Sequence, residues 1–230
     1  MPKQSPLRTS ALTAGLAMFL LLASGSRARA QYEQKGSTQL TAYGGGYLGG
    51  TVYTGDNGTF TRNVDVQDDW AYGGKLAYVF NKVLGLELGY GRSQSGLQLE
   101  PGTGMPAAPI GNLTENRYDL NLNFYTHPKT VQGYFTLGGG ATHFGAEFDD
   151  GSGSPPKSVS DTRFSSNFGI GMLLHTSPKM AFRIDGRWRY TDTNAGGQDY
   201  YCDAFGYCYG YDNSYYSSGE ITGGLTYSLH

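Results

Sequence analysis

After residue 30, apolar and polar residues alternate singly through eight runs of about ten or more residues. A period of two sends successive side chains to opposite faces of a strand. The last run is the clearest. Ile221, Gly223, Leu225, Tyr227 and Leu229 share one face, while Glu220, Thr222, Gly224, Thr226 and Ser228 share the other. Strict alternation of this kind is what a strand needs when one face meets lipid and the other a polar lumen. The terminal segment of a soluble domain is more often frayed or polar.

The same pattern predicts seven further strands. The first covers about 37–53, with Leu40, Ala42, Leu48 and Val52 on one face among many glycines. The second sets Trp70, Tyr72, Leu76, Tyr78 and Phe80 against Lys75 and small residues. The third sets Leu84, Leu86, Leu88 and Tyr90 against Glu87 and glycines. The fourth sets Tyr118, Leu120, Leu122 and Phe124 against Arg117, Asp119, Asn121 and Asn123. The fifth spans about 130–146. The sixth carries Phe164, Phe168, Ile170, Met172 and Leu174 outward, and the seventh Met180, Phe182, Ile184, Trp188 and Tyr190. Short turns at Asn81-Lys82, His127-Pro128-Lys129 and 176–179 follow the second, fourth and sixth strands. Long polar loops, 54–69, 94–115, 148–161 and 191–213, follow the others. Regular alternation of short turns and long loops is the rule for membrane barrels, with the short turns periplasmic, and a secreted Gly/Tyr-rich β-sandwich has no reason for it. The fold class read from the pattern is all-β: an eight-stranded antiparallel up-and-down transmembrane β-barrel. Such a lumen is narrow enough for side chains to fill.

The N-terminus changes where this barrel is placed. Lys3 and Arg8 precede the apolar run 11–22, and Ala28-Arg29-Ala30 forms an A-x-A cleavage site before Gln31. Residues 1–30 therefore read as a signal peptide, and 31–230 as the barrel domain. The apolar run is short for a membrane-spanning helix, and no Cys follows it to take a lipid anchor. Without residues 1–30 the chain holds 13 basic and 19 acidic residues, a balance that does not suggest nucleic acid as a partner. A mean hydropathy of −0.42 would mark a soluble protein, but lumen and loop residues dilute the lipid face of a barrel. The 36 Gly, 19 Tyr and 11 Phe suit bent, tilted strands and aromatic girdles.

The topology and the final strand carry a resemblance. The chain resembles the small eight-stranded outer-membrane barrels, the family of the OmpA transmembrane domain and its single-domain relatives, over nearly all of residues 31–230. Thr222-x-Gly224-x-x-Tyr227-x-Leu229 looks like the C-terminal β-signal read by the barrel-insertion machinery, with His230 one residue beyond the usual end. The resemblance implies the outer membrane of a Gram-negative-type cell, with outer-membrane lipid and lipopolysaccharide and the insertion machinery as partners, an unidentified extracellular ligand, and no cofactor.

Three places are open to function. The inward faces carry Lys75, Arg117, Arg183, Arg187 and Arg189 against Glu87, Asp119, Asp185 and Glu220. Unpaired charge in a narrow lumen is costly, so these residues are expected to pair. Lys75 and Glu87 stand at near-matching height on one hairpin. The network reads as a polar plug or, as the resemblance allows, as a gate with alternative pairings. The second place is the last long loop, where Tyr200, Tyr201, Phe205, Tyr207, Tyr209 and Tyr211 lead into Tyr215 and Tyr216. Tyrosines suit recognition surfaces and barrel rims alike. Cys202 and Cys208 in that loop are expected to form a disulfide in an exported protein. The third is catalysis. The resemblance admits enzymes that hydrolyse or transfer acyl chains on lipid A, which need a nucleophile, a base and an orienting acid within reach. His127 and His175 border turns and His230 is terminal. His143 has Glu147 four residues on but no Ser at a recognisable spacing, and neither G-x-S-x-G nor H-E-x-x-H occurs. The glycine runs 44–46 and 138–140 open no helix and lack a following Lys-Ser/Thr, so they read as backbone bends, not phosphate loops. The expected function is non-enzymatic: a structural or surface-interaction role through the outer loops.

Overall fold

The computed structural model describes residues 36–53, 64–101, 106–127, 130–148, 157–192, 201–202, 208–209 and 215–229. The signal segment 1–30 lies outside them, as do Phe205, Tyr207, Tyr211 and the side chain of Val52. Twelve strands are described: β1 Ser37–Leu48, β2 Thr51–Tyr53, β3 Val64–Val66, β4 Asp69–Val79, β5 Leu84–Leu99, β6 Ala108–Tyr125, β7 Val131–Phe148, β8 Lys157–His175, β9 Met180–Asp192, β10 Tyr201–Cys202, β11 Cys208–Tyr209 and β12 Tyr215–Leu229. Eight are staves. Each of β1, β4, β5, β6, β7, β8, β9 and β12 pairs antiparallel with the next, and β12 pairs with β1 to close the ring. Following the register from Leu229 through Thr38, Tyr78, Leu86, Leu122, Leu137, Phe168 and Trp188 returns to β12 ten residues away, at Gly219. That stagger is what tilted staves need in order to close a sheet on itself.

Polarity is inverted relative to a soluble protein. Trp70 and Ile170 are about 70% exposed, at 72% and 69%, whereas Glu87 and Arg117 are fully buried. Outward Leu76, Leu88, Leu120, Leu122 and Leu137 form an apolar belt. Aromatic rows flank it: Trp70, Tyr72, Tyr90 and Tyr118 toward the long loops, and Tyr78, Phe80, Phe124 and Phe135 toward the short turns. Aromatics at the two interfaces of an apolar band mark a surface solvated by lipid.

Local chemistry closes the short turns. The Asn81 side-chain oxygen accepts from the amides of Val83 and Leu84 at 2.8 and 2.9 Å, fastening β4 to β5. Thr126 Oγ1 accepts from the Gly133 amide at 3.0 Å, and Ser177 Oγ from the Met180 amide at 3.0 Å. These are the side-chain-to-backbone bonds that Asn, Ser and Thr bring to tight turns.

Three predicted loops are shorter than the polarity of their residues implies. β5 continues to Leu99 and β6 begins at Ala108, well inside the predicted loop 94–115. β8 begins at Lys157, inside the predicted loop 148–161. Beyond the membrane the outward face of a strand meets water in place of lipid, so the apolar alternation fades while the ladder continues. The predicted loop 54–69 also contains β3, which extends the line of β4 by pairing with residues 97–99 of β5. β2 and β3 form the outer continuation of the β1–β4 hairpin. Between β1 and β2, a Cβ on Gly49 would lie 2.0 Å from the Val66 carbonyl oxygen, so only glycine allows this approach.

Candidate functional site: a cross-braced lumen

The inward positions of the staves bury ten ionic side chains, five cations and five anions, among the described residues. The nine expected from the alternation are all there. The tenth is Glu115, the last residue of the predicted loop 94–115, which continues the inward phase of Arg117 and Asp119.

In the half nearer the turns, Glu87 on β5 binds two arginines of β9, on the opposite wall. Its Oε2 lies 2.7 Å from Arg183 Nη1 and its Oε1 2.6 Å from Arg187 Nη2. Asn123 adds a donor to Glu87 at 3.0 Å. Asp185 takes Lys75 at 2.6 Å and Arg183 Nε at 2.9 Å, and accepts from the Tyr134 hydroxyl. Lys75 therefore reaches across the lumen to β9 and makes no ion pair with its hairpin neighbour Glu87. The register explains this correction. Glu87 stands opposite Ala77, and Lys75 opposite Gly89, two residues out of step.

In the outer half, Arg189 grips Asp119 with both terminal nitrogens at 2.7 Å, the paired geometry that suits a guanidinium and a carboxylate. Arg117 lies 3.2 Å from Glu220 and 3.7 Å from Glu115. Tyr47 donates to Glu115 at 2.6 Å, and Tyr216 lies 2.5 Å from the Tyr47 hydroxyl and 3.2 Å from Glu115. Tyr216 is thus not part of an exposed recognition loop: it points inward and is fully buried, while its neighbour Tyr215 faces out at 70% exposure. The signal available for Tyr216 was its phase with Ser218 and Glu220.

Inward glycines make the room. Tyr43 lies across Gly73 and Gly91, where added Cβ atoms would come within 2.7 and 2.6 Å of its hydroxyl. Tyr134 covers Gly171 in the same way. Lys75 sits 4.5 Å above the Tyr43 ring, and Arg183 stacks 4.7 Å from Tyr134. Each large side chain thus fills the space a missing one leaves on a neighbouring stave.

Apolar clusters bound the charged layer. At the loop end, Tyr47, Val66, Ala71, Leu97, Leu113 and Tyr216 pack together. Toward the turns, Val79, Tyr125, Tyr134, Leu173 and Ala181 do the same.

Other sequence-marked residues lie apart from this layer. Cys202 and Cys208 face each other as backbone partners in the β10–β11 ladder, beside Tyr201 and Tyr209, and the side chains of these four are outside the described set. Thr222 is buried inside, Gly224 faces inward against the backbone of Ala42, and Tyr227 and Leu229 face out. His143 is on the outer wall, its Nδ1 2.8 Å from the Thr162 hydroxyl.

A closed antiparallel ring with a lipid-facing apolar belt and a polar, ion-paired interior defines an outer-membrane β-barrel. The chain belongs to the outer membrane protein beta-barrel domain family, whose profile matches residues 16–227. Its fold is similar to Neisserial surface protein A, at TM-score 0.53 and 13% identity, covering 85% of this chain and 100% of that one. It is also similar to OprG from Pseudomonas aeruginosa, at TM-score 0.54 and 12% identity, covering 87% and 99%. The outer membrane protease OmpT from Escherichia coli aligns at TM-score 0.42 and 10% identity, over 89% and 100%. No curated protein sequence matches the chain. The protein is an outer-membrane protein.

Proposed function

We propose that this protein is a non-enzymatic barrel with a closed lumen that acts structurally or in surface interaction through its outer face. The observation that carries this reading is the layering of the lumen. The cross-braced charges lie between the Tyr47–Leu113–Tyr216 cluster and the Tyr125–Tyr134–Leu173 cluster, so an ion would meet apolar packing on either side of them. Strands β5 to β8 carry the ladder beyond the apolar belt and offer a rigid platform for the outer loops. A disulfide between Cys202 and Cys208 is part of the proposal. The two are direct cross-strand partners, and that Cα separation, about 4.5 to 5.5 Å, falls within the span of a disulfide. The non-enzymatic reading is supported by His143, the outward histidine, whose imidazole is held by a threonine hydroxyl, not by a carboxylate.

A second reading, a gated pore, is favoured by one observation. Glu87 and Asp185 share Arg183, so cations and carboxylates have alternative partners within reach. Planar-bilayer recording separates the two. A closed barrel gives no steady current, and step-like openings would replace it with the gated pore. Lipid mass spectrometry of cells with and without the protein tests the enzymatic alternative, which altered acylation of lipid A would establish.

A further inference from the structure

The outer wall carries an apolar groove of about 590 Å³ that runs from Leu40 on β1 across β4, β5 and β6 and reaches β7. Leu76, Leu88 and Leu120, in register on neighbouring staves, form one side. Tyr90 and Tyr118, in the next register row toward the loops, form the other, and Gly74 leaves the stretch on β4 open. The groove lies within the lipid belt, immediately below the outer aromatic row.

Arg92 stands two residues beyond Tyr90 on the same face of β5. Its register neighbours are Tyr72 and Asn116, and its diagonal neighbours Trp70, Gly74, Thr114 and Tyr118, so no carboxylate stands beside it. Arg92 makes no ion pair among the described residues, and its Nε is buried with no hydrogen-bond partner. Every cation of the lumen, by contrast, has an anion. The Asn116 side-chain oxygen accepts from the Tyr90 hydroxyl at 3.1 Å, which leaves its amide nitrogen as a second donor next to Arg92.

We propose that Arg92 and the groove beneath it form a binding site for a phosphorylated, acylated lipid of the outer leaflet, with the phosphate on Arg92 and Asn116 and an acyl chain along the groove. The charge argument selects the headgroup. An arginine unmatched by protein, at the level where the apolar belt meets water, suits a phosphate held by parallel N–H bonds. The level of the groove selects an acylated ligand. In a bilayer the groove is covered by lipid in any case, so it adds shape fit, not exclusion of water, and discrimination falls to the phosphate contact.

The test uses the full barrel in bilayer nanodiscs that hold equal amounts of lipid A bisphosphate and its dephosphorylated form, with retained lipid read by native mass spectrometry. The wild type is expected to retain the bisphosphate form about tenfold over the other. Arg92→Gln is expected to bring that ratio to about one, with its gel-mobility shift on boiling unchanged. Gly74→Leu fills the groove on β4, and its Cβ makes only an ordinary 3.6 Å contact with the Thr41 carbonyl, so the barrel tolerates it. It is expected to lower retention of both lipids while keeping their ratio. Equal retention by the wild type, or a ratio that survives Arg92→Gln, overturns the site. Equal retention of both lipids by the wild type, together with Arg92-dependent binding of inorganic phosphate in nanodiscs without lipid A, overturns the lipid as ligand and leaves a free-anion site.

Discussion

At the scale of single residues, stability rests on ion pairs that span the lumen, and their connectivity ranks them. Glu87 is the acceptor for both Arg183 and Arg187, so Glu87→Gln leaves two buried guanidinium groups short of charge. Breaking a buried pair from one side costs about 3 to 5 kcal/mol. Lys75→Met removes one donor from Asp185, which keeps Arg183 at 2.9 Å, and its cost is expected to be clearly smaller. Denaturant unfolding from lipid vesicles gives the order, and an equal or larger loss for Lys75→Met would count against the central position of Glu87. Glycines supply a second ranking. A Cβ on Gly171 would lie 2.2 Å from the Tyr134 hydroxyl and 2.7 Å from the Ile184 carbonyl oxygen, whereas one on outward Gly46 meets nothing within 4 Å. Gly171→Val is expected to displace Tyr134 from Arg183 and Asp185 and lower the fraction of heat-modifiable barrel, and Gly46→Val to assemble like the wild type. The alternation puts Gly171 inward and Gly46 outward, but it does not show which large side chain needs the space. That is Tyr134, the register partner of Gly171 on the neighbouring stave.

At the scale of elements, period-two patterning was legible wherever one face met lipid. Outward Leu84, Leu86, Leu88 and Tyr90, and inward Ser165, Asn167, Gly169 and Gly171, are where the alternation puts them. It stopped being legible where lipid stops. Gln94 to Leu99 and Ala108 to Glu115 are strand, yet their outward residues Gln94, Gln98, Asn112 and Thr114 meet water and carry no apolar mark. β12 shows a different limit. Its alternation is plain, but that cannot tell a stave that merely closes the ring from one that is also recognised during assembly. Tyr227 and Leu229 face out beside β1, with Leu40 and Thr38 as their respective register partners. If they serve as a β-signal, Tyr227→Ala with Leu229→Ala should sharply reduce assembly in cells while the purified chain refolds into detergent nearly as well as the wild type. A matching loss in both settings would mean that these side chains contribute only packing.

At the scale of the whole molecule, ring closure with a ten-residue stagger decides what meets inside the barrel. It brings β5 opposite β9 and β6 opposite β12, so Glu87 meets Arg183 and Arg117 meets Glu220 across walls about 100 residues apart in sequence. The inward charges were readable one strand at a time, but their partners follow from the closure and were not. The same closure stacks three barriers in series: the outer apolar cluster, the charged layer and the inner apolar cluster. Barriers in series block independently, so removing one leaves the others. Tyr47→Ala with Tyr216→Ala opens the outer cluster and frees Glu115 from both hydroxyls, yet Arg117, Arg187 and Arg189 still bridge the lumen beneath it. This variant is expected to record as silent in planar bilayers, although less stable to denaturant. Glu87→Gln alone is expected to be silent too, because Tyr125, Tyr134 and Leu173 still pack on the turn side. Current is expected only when the outer pair and Glu87 are changed together with Tyr134→Ala. Steady conductance from either simpler variant would show that a single layer holds the barrel shut, and would move the reading from a closed scaffold to a gate located at that layer.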